Sequence, residues 1–240
     1  MDRGMFSHAT DLGSVVFDRC KTWHIQQKQI LSNLVRIVRR KAAHEVTMAY
    51  SAKEYQHLLG KLKGFSEKQL TAHFGLYQGY VKKMNEIAEK LKTQDKSASN
   101  YSFGEFSELK RREAVAFNGT FLHELYFENL GNTGQPSGLL KKAAEASFGS
   151  WENFVQDMKS SAGSTPGWVV ATYNKIDKQL HTYVLFEHHI GLPIGQEIIL
   201  ALDCWEHAFM IDFGIDKASY LKVFFENINW EVVNQRFARC

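Results

Sequence analysis

Apolar positions recur every three or four residues through two long stretches of this chain, and the period then shortens to two before lengthening again. Ser66 and Gln69 stand at the Ser-x-x-Gln spacing of a capping box, and the helix they open carries His73, Tyr77, Tyr80, Met84 and Ile87 to about residue 91. His73, Tyr77 and Tyr80 fall on one of its faces. A polar linker over residues 93–102 leads to a second helix, residues 106–130, in which Phe117, Phe121, Leu122, Leu125 and Tyr126 surround His123. Packed antiparallel, the two helices each present one imidazole inward.

Gly131, Gly134, Pro136 and Gly138 break the pattern and mark a lobe boundary. Residues 139–146 and 150–161 read as short helices, the second opened by Ser150 as N-cap. Val, Thr, Tyr and Phe then crowd residues 168–173 and 179–186 around Asp177 and Lys178, which predicts two antiparallel strands. Residues 198–202 predict a third strand. Residues 205–213 and 217–228 predict helices, and Asn229-Trp230-Glu231 a last turn. The fold class is α+β.

Residues 1–47 differ in character from the rest. Ile30, Leu31, Leu34, Val35, Ile37 and Val38 lie at helical spacing ahead of Arg39-Arg40-Lys41, a basic amphipathic helix. It has no continuous apolar run or small-residue cleavage site of an export signal, and Asp2, Asp11 and Asp18 argue against an organelle transit peptide. Three readings stand: an accessory helix, a membrane-surface anchor, or upstream sequence ahead of a start at Met48. The accessory or upstream reading is favoured, because one such helix binds membranes weakly. The organisation expected is an extension over 1–47, a helical hairpin over 48–131 and a metal-binding lobe over 132–240.

Composition narrows the class. With 240 residues, 44% hydrophobic and 23% charged, the chain sits near the averages of soluble domains, and no apolar run approaches the ~18 residues that span a bilayer. A net charge of +3 does not make a nucleic-acid binder. Cys20, Cys204 and Cys240 are odd in number and unpaired in spacing, the usage of a reducing compartment, so the expectation is a cytoplasmic protein with no membrane partner. Cys204 is expected to pack rather than ligate.

The chemistry concentrates in Asp203-Cys-Trp-Glu-His207, directly after the apolar run of residues 198–202. A buried strand that ends on a carboxylate and is followed at once by an imidazole delivers two metal ligands. His73 and His123 would complete three His and one Asp, a set that suits iron or manganese and leaves a position open. A lone His on an apolar face is more often a core residue, and Glu124 beside His123 is expected to be solvated or ion-paired.

Asp203-Cys-Trp-Glu-His-Ala208 and Leu122-His-Glu-Leu-Tyr-Phe-Glu-Asn-Leu130 resemble the motifs of the iron/manganese superoxide dismutase family. Phe148-Gly-Ser150, Gly167-Trp168, Tyr220-Leu221 and Asn227-Ile-Asn-Trp-Glu231 recur in matching order, so the likeness runs from about Tyr50 to Cys240. It implies a helical hairpin, then a lobe with a three-stranded antiparallel sheet, and one metal held by His73, His123, Asp203 and His207. It further implies Tyr80 as a gateway phenol, Trp168 and Trp205 as cavity walls, Lys217 where the family carries an Arg near the substrate funnel, and Glu206 reaching His207 of a partner in a homodimer, which pairs in some cases into a tetramer. The substrate would be superoxide and the ion iron, preferred here, or manganese.

The chain departs from the family pattern at several positions. The family sets a Gln against the bound solvent from one of two places. The first is Gly119 here; the second falls at His188 or His189, and His189 is favoured by its distance from Pro193. Changing His189 to Gln is therefore expected to alter metal preference or rate. His57, His181 and His188 are expected on the surface or in the sheet. The His73 to Tyr80 spacing is one residue short, Leu76 or Tyr77 replaces the customary gateway His, and Met210 stands at an interface Tyr. The competing functions are a weak or inactive dismutase-like scaffold in an assembly and a non-haem iron oxygenase. The second needs two His and one carboxylate, so three His and one Asp leave it too few open positions.

Overall fold

The capping signal at Ser66 starts a 27-residue helix, α1 (Glu67–Thr93), in the computed structural model, which describes residues 49–240. The Ser66 hydroxyl accepts the Gln69 amide N–H at 3.0 Å. Leu70, His73, Phe74, Tyr77, Val81 and Ile87 form its buried stripe, at the three- and four-residue spacing read from the sequence. The stripe packs on α2 (Glu105–Glu128), which buries Leu122, His123, Tyr126 and Phe127. The basic helix expected within residues 1–47 lies outside the described residues.

Beyond α2 the chain turns through Gly131 and Asn132, both at positive φ, whose N–H groups donate to the Asn227 carbonyl. Two short helices follow, α3 (Gly138–Phe148) and α4 (Trp151–Ala162), capped by the hydroxyls of Ser137 and Ser150. Three strands, β1 (Trp168–Asn174), β2 (Gln179–Leu185) and β3 (Gln196–Asp203), make an antiparallel sheet of order β2-β1-β3. The α+β class and the three-stranded sheet are as expected.

The register places chemistry at one end of the sheet. Trp168 pairs with Leu185 on one side and with Asp203 on the other. Gly167 permits that approach, since a Cβ there would lie 2.1 Å from the Leu185 carbonyl oxygen. Val169, Val170, Ala171, Leu200, Ala201 and Leu202 are fully buried, so the end of β3 is held in the core against β1.

Two expectations about the last third need correction. The continuous helix over 205–213 is a 3₁₀ turn, Glu206–Ala208, followed by a one-turn α5 (Met210–Phe213). The cause is local: the Asp203 carboxylate accepts the Trp205 N–H at 2.9 Å, holding Trp205 extended, so the chain tightens into a 3₁₀ turn beyond it. After α6 (Lys217–Glu226), Asn229 caps a full helix, α7 (Trp230–Ala238), and not a single turn, because Trp230, Val233 and Phe237 continue the apolar spacing onto the core.

Candidate metal centre

Each of the four expected ligands comes from a different local setting. His73 sits near the start of the buried stripe of α1, and His123 faces it from α2. Asp203 ends β3, and the 3₁₀ turn swings His207 back over it. His73 Nε2 lies 3.1 Å from Asp203 Oδ2 and His207 Nε2 lies 3.2 Å from the same oxygen. His123 Nε2 is 3.7 Å from that oxygen and 3.4 Å from His207 Nε2. All four ligand atoms lie within 4.8 Å of one another.

The separations of 3.1–3.7 Å around Asp203 and His207 suit one ion. Imidazole and carboxylate bonds of about 2.1 Å meeting at about 90–120° put neighbouring ligand atoms about 3.0–3.6 Å apart. The protonation states fit as well. Burial holds the His73 imidazole below its ordinary range, with Asp203 pulling the other way, and burial holds His123 well below it, helped by His73. Burial alone would raise the Asp203 carboxyl, but His207 and His73 outweigh it and keep the group well below the usual carboxylate range. His123 Nδ1 donates to the Gly119 carbonyl at 2.5 Å, which leaves the Nε2 lone pair for a metal.

Tyr80 completes one wall. Seven residues of helix turn through about 700°, within about 20° of two full turns, so the shortened spacing keeps Tyr80 on the face of His73. Its ring stacks on His123 at 5.2 Å between centroids. A Cβ on Gly119 would lie 2.6 Å from a Tyr80 ring carbon, so this glycine makes room for the phenol. Trp168 stands edge-on to His123 at 5.1 Å, and Trp205 lies parallel to His207 at 6.3 Å.

The histidine beside Tyr80 is His188, and the expectation for His189 needs correcting. His189 is exposed, whereas His188 is buried, 3% exposed, between Tyr80 and Trp168. Trp168 Nε1 donates to His188 Nδ1 at 2.9 Å, and His188 Nε2 lies 2.6 Å from the Tyr80 hydroxyl. An indole nitrogen only donates, so Nδ1 carries no proton. Burial pushes the His188 imidazole down to about 4, which keeps the ring neutral and places its single proton on Nε2. Nε2–H therefore donates to Tyr80, and the phenol keeps its own O–H to donate elsewhere; no acceptor takes it among the described residues. Burial raises the Tyr80 phenol, as does the nearby Asp203.

The remaining expected residues divide. Glu206 is exposed beside His207, and Met210 is 46% exposed. The Lys217 ammonium donates to the carbonyls of Ala162 and Thr165 at 2.8 and 2.9 Å, so it stitches the loop that leads into Trp168. Tyr77 is buried and donates to Glu124, away from the ligands, while Leu76 is 37% exposed. Cys204 packs as expected, 2% exposed, with burial pushing its thiol up to about 12. The sequence reading missed Gln69. Its amide N–H donates to the His207 carbonyl at 2.6 Å and its oxygen accepts from Ile211 N–H at 3.0 Å, so the start of α1 holds the turn that carries His207. Nothing in a Ser-x-x-Gln motif separates that role from a capping box.

Residues 136–236 match the family model for iron/manganese superoxide dismutases, C-terminal domain. An iron superoxide dismutase of Aquifex pyrophilus is 37% identical over 185 residues, 75% of this chain and 87% of its own length. One from Cupriavidus metallidurans is 36% identical over 195 residues, 80% of this chain and 98% of its own. A manganese superoxide dismutase of Halobacterium salinarum is 33% identical over 177 residues, 70% and 84%. The chain belongs to the iron/manganese superoxide dismutase family and is an oxidoreductase acting on superoxide.

Proposed function

We propose that superoxide is disproportionated to oxygen and hydrogen peroxide at a single ion held by His73, His123, Asp203 and His207. The observation that carries this is the convergence of their four ligand atoms, three from neutral or partnered imidazoles and one from an ionised carboxylate. A bound iron or manganese ion would supply one-electron redox chemistry, and this chain's residues would shape what reaches it. Reduction of superoxide to peroxide consumes protons. Tyr80 is the donor within the cavity, held by His188, which is itself fixed in one tautomer by Trp168. His188 thus takes the place of the family's amide. Trp168 and Trp205 wall the ligands, and Lys217 steadies the approach to Trp168.

Iron is the preferred ion, because the relatives named for iron are 36–37% identical and those named for manganese 32–33%. A homodimer in which Glu206 meets His207 of its partner is supported by the exposure of Glu206, Met210 and Ile211 around the 3₁₀ turn. A cytoplasmic setting accords with the free thiols of Cys204 and Cys240. No helix of the described residues is long and apolar enough to cross a membrane. Residues 48–131 and 132–240 are read as two halves that meet at the ion.

The test is the decay of a superoxide pulse with protein loaded separately with iron and with manganese, against metal-free protein. Fast decay in one form, proportional to bound metal, is expected. Bound metal without acceleration would favour the scaffold reading.

A further inference from the structure

Glu124 follows ligand His123 directly on α2 and is buried, its side chain 4% exposed. Burying a carboxylate is unfavourable unless its oxygens are satisfied, and these are satisfied by three separate donors. Tyr77 O–H donates to Oε1 at 2.7 Å, Tyr50 O–H lies 2.8 and 2.9 Å from the two oxygens, and Lys53 Nζ lies 2.7 Å from Oε2. Tyr77 is one helical turn beyond His73, so the Tyr77–Glu124 bond crosses from α1 to α2 one turn from the facing imidazoles. Tyr77 also accepts the Lys53 N–H at 2.9 Å, which draws the segment before α1 onto the same point.

The charges continue toward the third ligand-bearing element. Lys53 also pairs with Glu128 at 2.9 Å, Glu128 pairs with Arg236 at 2.8 Å, and Arg236 donates to the Ile199 carbonyl on β3 at 3.4 Å. The network therefore touches α1, α2 and β3, which carry His73, His123 and Asp203. Glu124 is buried, but its ionic partner Lys53 is 49% exposed, and a half-exposed pair adds little stability, so stability is a weak reason for a carboxylate here. A single geometry for the two helices is a stronger one.

We propose that Glu124 is a positioning residue, whose bonds to Tyr77, Tyr50 and Lys53 set the separation of His73 and His123 and so the retention and ligand field of the ion. The proposal rests on the metal reading above. Its test compares Glu124→Gln and Tyr77→Phe with Leu180→Ala, a core substitution on β2 that serves as a control for lost stability. Each protein is loaded with manganese; loss of the ion to a chelator, the ligand-field absorption band and the thermal unfolding of the metal-free form are measured.

Glu124→Gln and Tyr77→Phe are expected to release the ion about tenfold faster and to shift the band, while Leu180→Ala keeps the wild-type band and release rate despite its lower melting temperature. Should Glu124→Gln not fold, Tyr77→Phe, which keeps the ring, carries the test alone. Wild-type release and band in the variants, or equally fast release from Leu180→Ala, overturns the proposal. A wild-type protein that takes up neither manganese nor iron overturns the metal reading itself, and the positioning role with it.

Discussion

The ligand quartet and the proton-handling group beside it are built in different ways. His73, His123 and Asp203 project from the second turn of α1, the last third of α2 and the buried end of β3, where period and packing dictate direction. His188 comes from the irregular loop after β2, held by a bridge between Glu187 and Ile190 and by the Asn118 amide, which donates to the His188 carbonyl at 2.9 Å. The difference teaches where a family can vary. Ligands on regular elements cannot move without shifting the fold, whereas a loop can exchange one hydrogen-bonding side chain for another as long as Trp168 and Tyr80 stay where they are.

The largest effect that separates the two regions should follow Asp203→Ala. It removes the one anion that three imidazoles share, so metal content measured after gel filtration is expected to fall to background, with superoxide decay following it. Retained activity would break the ligand assignment. Removing the proton-handling group should act differently. His188→Ala is expected to keep the ion but slow superoxide decay by roughly 10- to 100-fold, since it strips Tyr80 and Trp168 of their common partner. Metal loss on the scale of Asp203→Ala would show that the two regions are not separable.

A smaller effect is expected at Gly119. An added methyl would meet the Tyr80 ring at 2.6 Å, so Gly119→Ala should displace the phenol, cost roughly 1–3 kcal/mol of stability in denaturant titration, and slow decay less than His188→Ala does. An unchanged rate would mean that the seat of Tyr80 on His123 does not matter. The smallest effect is assigned to His189→Gln: its side chain is exposed, and rate and metal content should both stay at wild-type values.

This division also marks how far the sequence could be read. Hydrophobic period located α1, α2 and the three strands to within a few residues, while the Asp203-to-His207 spacing and the resemblance of the motifs named the four residues that converge on one point. It failed where side chains act against local pattern. The choice of His189 over His188 is a slip of one residue in a loop with no periodicity, and a slip of one turns a side chain to the opposite face. The 3₁₀ turn at Glu206–Ala208 was read as helix because Trp205, Ala208 and Phe209 suit one; the Asp203 carboxylate, through its bond to Trp205 N–H, decides otherwise. Gln69 and Glu124 act across 138 and 74 residues of separation, on His207 and Tyr50, and no local spacing reports such a contact.

The measurement that tests the account most directly is the superoxide decay rate, per bound ion, of His188→Gln beside His189→Gln in the same metal-loaded preparation. The account predicts a changed rate or metal preference for His188→Gln alone, because an amide would then stand between Trp168 and Tyr80. An effect from His189→Gln with none from His188→Gln would contradict it.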